Sequence, residues 1–216
     1  MTIETAQLLT LAQWLSPAYP TGGFAWSHGL ETAVAEGAVR DAAGFGAWLG
    51  DVLEHGAARS EALFLAEAHR AGGDEALARI DARARAFAPC AERLAETVEQ
   101  GAAFARITAA IWGMDLPTLA QPVAVGRAAA LAALPLEPVM ALYLQGFAAN
   151  LAAAAQRLVP LGQTDAQTAL AARAPLIARI AAEAAAAGPD ALSSTAFLAD
   201  IAAMRHEPLQ PRIFRS

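Results

Sequence analysis

The chain has 216 residues, enough for one substantial domain or two small ones and for a real buried core. Apolar residues make up 56% and charged residues only 17%, below the roughly 25% of ordinary soluble domains. The net charge of −6 argues against a nucleic-acid binder, which carries a clustered basic face. A single cysteine, Cys90, excludes an intramolecular disulfide and fits a reducing compartment. No signal-peptide pattern opens the sequence. The longest apolar run, Val139 to Ala155, is largely alanine and is broken by Gln145, Gly146 and Asn150, so it reads as a core helix and not a membrane span. A soluble, cytoplasmic protein is expected, without cofactor, bound metal, nucleic-acid partner or membrane contact.

Helical spacing recurs along the chain, and alternating strand patterns are scarce. Leu8, Leu11 and Leu15 mark a short first helix that Ser16-Pro17 ends. A loop follows in which Pro17, Pro20 and Gly22-Gly23 shape a turn and Tyr19, Phe24 and Trp26 crowd together. Phe45, Trp48, Leu49, Val52 and Leu53 form the next stripe, and Gly72-Gly73 is a clear break. Leu77, Ile80 and Phe87 give a weaker helix before Pro89; Leu94, Val98, Ile107 and Ile111 are expected to line a longer one ending near Gly113. Val139, Leu142, Tyr143, Phe147, Leu151 and Leu158 recur at three- and four-residue steps. On that face Gly146 suits close approach of a neighbour, and Asn150 needs a hydrogen-bond partner if buried.

Thr164-Asp165-Ala166-Gln167 has the form of a capping box, and Pro175 is expected to bend or split the helix carrying Leu170, Leu176, Ile177 and Ile180. A last helix bears Phe197, Leu198, Ile201 and Met204. Short connections make this an all-α, single-domain bundle of about eight to ten helices over residues 1–207, with a separate tail at 208–216.

Catalytic signatures are missing: no phosphate loop, dinucleotide fingerprint, HExxH, CxxC or GxSxG occurs. His28, His55, His69 and His206 are not spaced to preform a metal site, and Cys90 reads as an inert thiol. Two segments stand out. The loop from Ser16 to Glu31 either pins its aromatics into the core or presents a rigid contact surface. The tail after His206, with Pro208, Pro211, Arg212, Ile213, Phe214 and Arg215, either folds back on its own domain or docks on another protein.

Three separated segments resemble the urease accessory protein UreF family. Ser16-Pro17, Pro20, Gly22-Gly23-Phe24 and Ser27-His28-Gly29-Leu30-Glu31 match its SPxxPxGGFxxSHGLE pattern. Arg157 to Gln167 is similar to its RLxPLGQTxxQ element, and Met204-Arg205-His206-Glu207 with Arg212 to Ser216 to its MRHE and RLFRS ending. The resemblance implies a non-catalytic nickel-insertion chaperone that dimerises, binds UreD (UreH), recruits the GTPase UreG and docks on apo-urease. It implies that Arg205, His206, Glu207, Arg212, Phe214 and Arg215 contact UreD in a tail that becomes ordered on binding. Pro20, Gly22, Gly23, Phe24, Ser27, His28 and Glu31 would shape an interface or nickel-route loop. A GTPase activator using Arg212 or Arg215 as a finger, and a small-molecule enzyme using His28, are the alternative readings.

Overall fold

The computed structural model describes residues 3–216. Eleven α-helices follow one another: α1 (Thr5–Trp14), α2 (Leu30–Ala35), α3 (Ala42–His55), α4 (Ala57–His69), α5 (Asp74–Ala86), α6 (Ala91–Trp112), α7 (Gln121–Leu131), α8 (Leu136–Leu158), α9 (Gln163–Ala171), α10 (Ala174–Ala186) and α11 (Phe197–His206). Short 3₁₀ turns lie at Gly23–Ala25 and Pro189–Ala191, and no strand occurs among the described residues. The all-α bundle is as expected; setting aside the six-residue α2, the helices number ten.

The centre is α8, packed against α4 and α10, with α7 packed mainly on α4 and α6 and also touching α8. Of the predicted α8 stripe, Val139, Tyr143 and Leu151 are buried and Leu142, Phe147 and Leu158 are half-buried, while Met140, Leu144 and Ala148 complete the buried face. By length and composition α8 is apolar enough to cross a membrane, but here that face is the core of the bundle. Alanines on α4 and α7 leave little side-chain bulk between the two, and Gly126 takes this furthest. A Cβ there would sit 2.3 Å from the Leu65 carbonyl oxygen, so the helices touch backbone to backbone. Gly146 faces the Leu15 carbonyl at the end of α1, and Asn150 donates to the Trp26 carbonyl at 3.2 Å.

Three local expectations are corrected. First, the apolar spacing of α6 does not trace its buried face: Val98 and Ile107 are half-buried. Leu94 and Ile111 are exposed, whereas Arg93, Glu96, Thr97, Gln100, Phe104 and Thr108 are buried. Second, α11 turns Phe197, Leu198, Ile201 and Met204 outward and buries Ala202, Ala203 and His206. Third, α9 begins at Gln163 with Gly162 as its cap residue, two positions earlier than the capping box requires, and no side-chain cap bond forms. Of the two outcomes open at Pro175, the helix is split. Leu170 ends up on α9, and Pro175 takes the first turn of α10, where its missing N–H costs nothing.

Candidate functional site

The loop between α1 and α2 is pinned at both ends. Tyr19 is buried and shares a 2.8 Å hydrogen bond with Thr108 of α6, and Trp26 is buried as well. Between them Phe24 stays 76% exposed, at the tip of a turn that Gly22 opens with a left-handed φ of 78°. The core-pinning reading of this loop holds for Tyr19 and Trp26, while Phe24 stays on the surface. Pro20 is exposed, while Gly22 and Gly23 are half-buried.

The chain then reverses into α2 through two consecutive left-handed residues, His28 (φ 55°) and Gly29 (φ 79°). Gly29 is required for a second reason. A Cβ at Gly29 would lie 2.6 Å from the Ala203 amide nitrogen, so α11 crosses α2 at backbone contact. That crossing brings Glu31 of α2 to His206 of α11.

Around this crossing the tail folds back on its own domain. Phe214 is only 3% exposed, and Ser216 is buried. Glu31 gathers the segment: its Oε1 accepts from the Ile213 amide at 2.6 Å, and its Oε2 accepts from the Phe214 amide at 2.8 Å. His206 Nε2 lies 3.0 Å from Glu31 Oε2, and its Nδ1 lies 2.7 Å from Glu92 Oε2. Arg212 pairs with the other Glu92 oxygen. Arg215 makes a two-pronged pair with Glu99 at 2.6 and 2.7 Å and stacks over the Trp26 ring at 4.3 Å. That pairing holds the Glu99 carboxyl below its usual range. Arg157 of α8 covers the Phe214 ring at 4.3 Å, and the Arg215 amide donates to the Ala25 carbonyl. Glu207 accepts from the Ala91 amide at 2.9 Å, at the start of α6, and Arg205 reaches Glu36 just after α2.

Of the two readings open for the tail, folding back on its own domain is the one this single chain adopts. Phe214 is spent on the chain's own core, and Arg212 and Arg215 are engaged with the chain's own carboxylates.

Beneath the tail lies a buried ionic network. His28 Nε2 sits 2.9 Å from Glu96 Oε1, and Arg93 pairs with Glu96 and, at 3.0 Å, with Glu61. Tyr143 donates to Glu61 at 2.8 Å, Gln100 donates to Glu96 at 3.1 Å, and the Ser216 hydroxyl reaches Glu96 at 3.0 Å. Burial alone pushes the Glu96 carboxyl up, but Arg93 and His28 outweigh it and hold the group at about 2. The Arg93 guanidinium is raised although burial opposes its charge, because Glu96 and Glu61 flank it. Burial and then Glu61 push the Tyr143 hydroxyl well up. Ser27 closes the join: its amide donates to the Ser216 carbonyl at 2.9 Å, and its hydroxyl donates to the same oxygen.

A cleft of about 200 Å3 opens beside this network, lined by His28, Glu96, Gln100, Tyr143, Phe147 and Asn150. His28 is 8% exposed, and its ring lies 4.5 Å from that of Phe147.

Sequence reasoning singled out Glu31, His28, His206, Arg212, Phe214 and Arg215, and the structure brings all six into one assembly. It missed the receiving side: Glu92, Glu96 and Glu99 on α6, with Arg93, Arg157 and Trp26. A signal was present, since Glu92, Glu96 and Glu99 fall at helical spacing opposite a tail with two arginines. His55 is exposed, while His69 is half-buried and bonds the Leu134 carbonyl at 2.9 Å. Cys90 is half-buried at the start of α6, and burial raises its thiol.

Comparison with known proteins adds to this geometry. A sequence model of the UreF family matches residues 39–174. The chain is 58% identical over 212 residues to "Urease accessory protein UreF" of Cereibacter sphaeroides (strain KD131), covering 98% of this chain and 100% of that protein. Proteins of the same description in Ruegeria sp. (strain TM1040) and Roseobacter denitrificans are 56% and 49% identical, over 208 and 223 residues. They cover 96% and 100% of this chain and 97% and 100% of their own lengths. The loop and tail described above lie outside the segment that the family model matches but inside the similarity to the Roseobacter denitrificans protein, which covers the whole chain.

Proposed function

We propose, from the premise that this chain belongs to the UreF family of urease accessory proteins and so serves urease maturation, that it acts as a scaffold and not as a catalyst. In this reading it joins UreD (UreH) and UreG on apo-urease in the cytoplasm, as a homodimer, so that nickel reaches the urease centre. The observation that carries the reading is the outward face of α11. Phe197, Leu198, Ile201 and Met204 are all exposed on a single short helix that leads directly into the tail, whose Ile213 is exposed too. A helix in an isolated domain normally turns such residues inward, and an apolar face of this kind is what a partner covers.

The tail residues then divide by role. His206, Phe214 and the amides of 213 and 214 hold the tail in place, with Arg212 and Arg215 as braces. Ile213 and the α11 face meet UreD. Phe24, presented by the loop at Gly22 and Gly23, belongs to a second contact at the dimer or along the nickel route. The arginine-finger alternative loses ground, because Arg212 and Arg215 are both committed to carboxylates. Removing residues 208–216 is expected to abolish urease activation in cells and capture by UreD while helical circular dichroism persists. Undiminished activation by the truncated chain would overturn this role of the tail.

A further inference from the structure

We propose that the cleft beside the buried network is a site for a primary ammonium group, carried by a lysine side chain of another protein or by a free alkylamine. The site is built around Gly23. Apart from the chain neighbours of Gly23, the three atoms nearest to where its Cβ would stand are all side-chain oxygens. They are Gln100 Oε1 at 3.3 Å, Asn150 Oδ1 at 3.7 Å and Thr21 Oγ1 at 3.8 Å, and all four residues line the cleft.

The two amides are fixed in that orientation. Gln100 donates its NH₂ to Glu96 Oε1 at 3.1 Å, and Asn150 donates its own to the Trp26 carbonyl at 3.2 Å. A carboxylate and a carbonyl only accept, so both amide oxygens are left on the Gly23 side. Neither of them meets a donor among the described residues, although Gln100 is only 6% exposed. Gly23 itself is not required by its backbone: Gly22 has the left-handed φ, and Gly23 does not. Its missing side chain instead keeps the space in front of the three oxygens open.

Three acceptors around one spot match an ammonium head, which is compact and has three donors and no acceptor; a guanidinium is a planar fork that suits paired oxygens. Behind them Glu61 and Glu96 share a single guanidinium, Arg93, which favours a cation. Glu96 acts through its charge and not as a direct ligand, because its oxygens are engaged by His28, Gln100, Arg93 and Ser216. Trp14, Phe104 and Phe147 supply apolar walls for a methylene stem. At about 200 Å3 the cleft is smaller than the roughly 300–1,000 Å3 of sites for drug-sized molecules, so it admits a single side chain or a similarly small amine.

The sequence contains no lysine; all fifteen of its cationic side chains are arginine. A lysine seated here therefore belongs to a different protein and not to a second copy of this chain. The exposed Phe24 lines the same cleft, so a protein docked on that loop has its side chains within reach of it. Binding of a small amine needs neither UreD nor UreG, so the site stands or falls separately from the scaffold reading.

The test titrates the full ¹⁵N-labelled chain with n-butylammonium chloride. The side-chain amide signals of Gln100 and Asn150 should move together and saturate. Butyltrimethylammonium, which has the charge but no N–H, and n-butanol, which has no charge, should bind at least about tenfold more weakly. Gly23→Ala should weaken butylammonium by a similar factor with helical circular dichroism unchanged; if that variant does not fold, the three probes on the wild-type chain decide alone. Nα-acetyl-lysine methylamide separates the sources. Binding as tight as butylammonium assigns the site to a lysine of a docked protein, and its exclusion while butylammonium still binds assigns the site to a free amine. No saturable shift, equal binding of the three probes, or undiminished binding by folded Gly23→Ala would overturn the proposal.

Discussion

Glu31 is the residue on which the tail most depends, because one buried carboxylate receives two backbone amides and an imidazole. Hydrogen bonds to a charged group contribute about 1.5–3 kcal/mol each, and a buried donor left without its acceptor costs a similar amount. Glu31→Gln should therefore release the tail while the bundle stays folded. Hydrogen exchange at the Ile213 and Phe214 amides would rise by an order of magnitude or more, and unchanged rates would remove Glu31 from this role. Arg93 plays the matching part below the tail. Arg93→Ala leaves Glu96 and Glu61 buried without their cation and should cost about 3–5 kcal/mol in urea unfolding. Glu96 gives a pH signature. Its carboxyl is held at about 2, below its ordinary range, so its contribution is complete above the unfolded value and is lost as pH falls towards that number. Acid unfolding of the wild-type chain should steepen below about pH 4.5, and Glu96→Gln should flatten that limb.

At the level of elements, two backbone contacts set the geometry. Gly126 lets α7 meet α4, and Gly29 lets α2 meet α11. Gly126→Ala places a methyl 2.3 Å from a carbonyl oxygen in the centre of the bundle and should lower global stability by at least about 1–3 kcal/mol. Gly29→Ala should instead loosen α11 and the tail first, seen as faster exchange over 197–216 with a smaller shift in Tm. The helices were legible in the sequence wherever a wide apolar stripe faced the core, as on α8. The stripes on α6 and α11 were legible as stripes, but not in the direction they face. On α6 the polar side is the covered one, because the loop and the tail bring Arg215, Ser216 and His28 to meet Glu96, Glu99 and Arg93. On α11 the small side chains of Ala202 and Ala203 pack where backbones touch, which leaves the large ones outside. Periodicity reports that a helix has two faces; which of them is covered depends on partners distant in sequence. The tail shows the same limit. Its aromatic and arginines marked it as a docking segment, but the first surface it docks on is its own domain.

Across the whole molecule, the interior is spent on helix packing and one ionic network, while apolar residues are presented at α11, Ile213 and Phe24. The scaffold role proposed above needs such surfaces more than it needs a reactive centre, and each should be separable from folding. Phe24→Asp should leave the bundle intact and, if the proposed homodimer uses this loop, shift it towards monomer in sedimentation; a dimer of unchanged stability would place its interface elsewhere. The most direct measurement is capture of co-expressed UreD by the chain carrying Leu198→Asp and Ile201→Asp, both on the exposed side of α11. Wild-type helical content and Tm with capture reduced at least tenfold is the expected result. Full capture by that folded variant would contradict the assignment of this face to the partner.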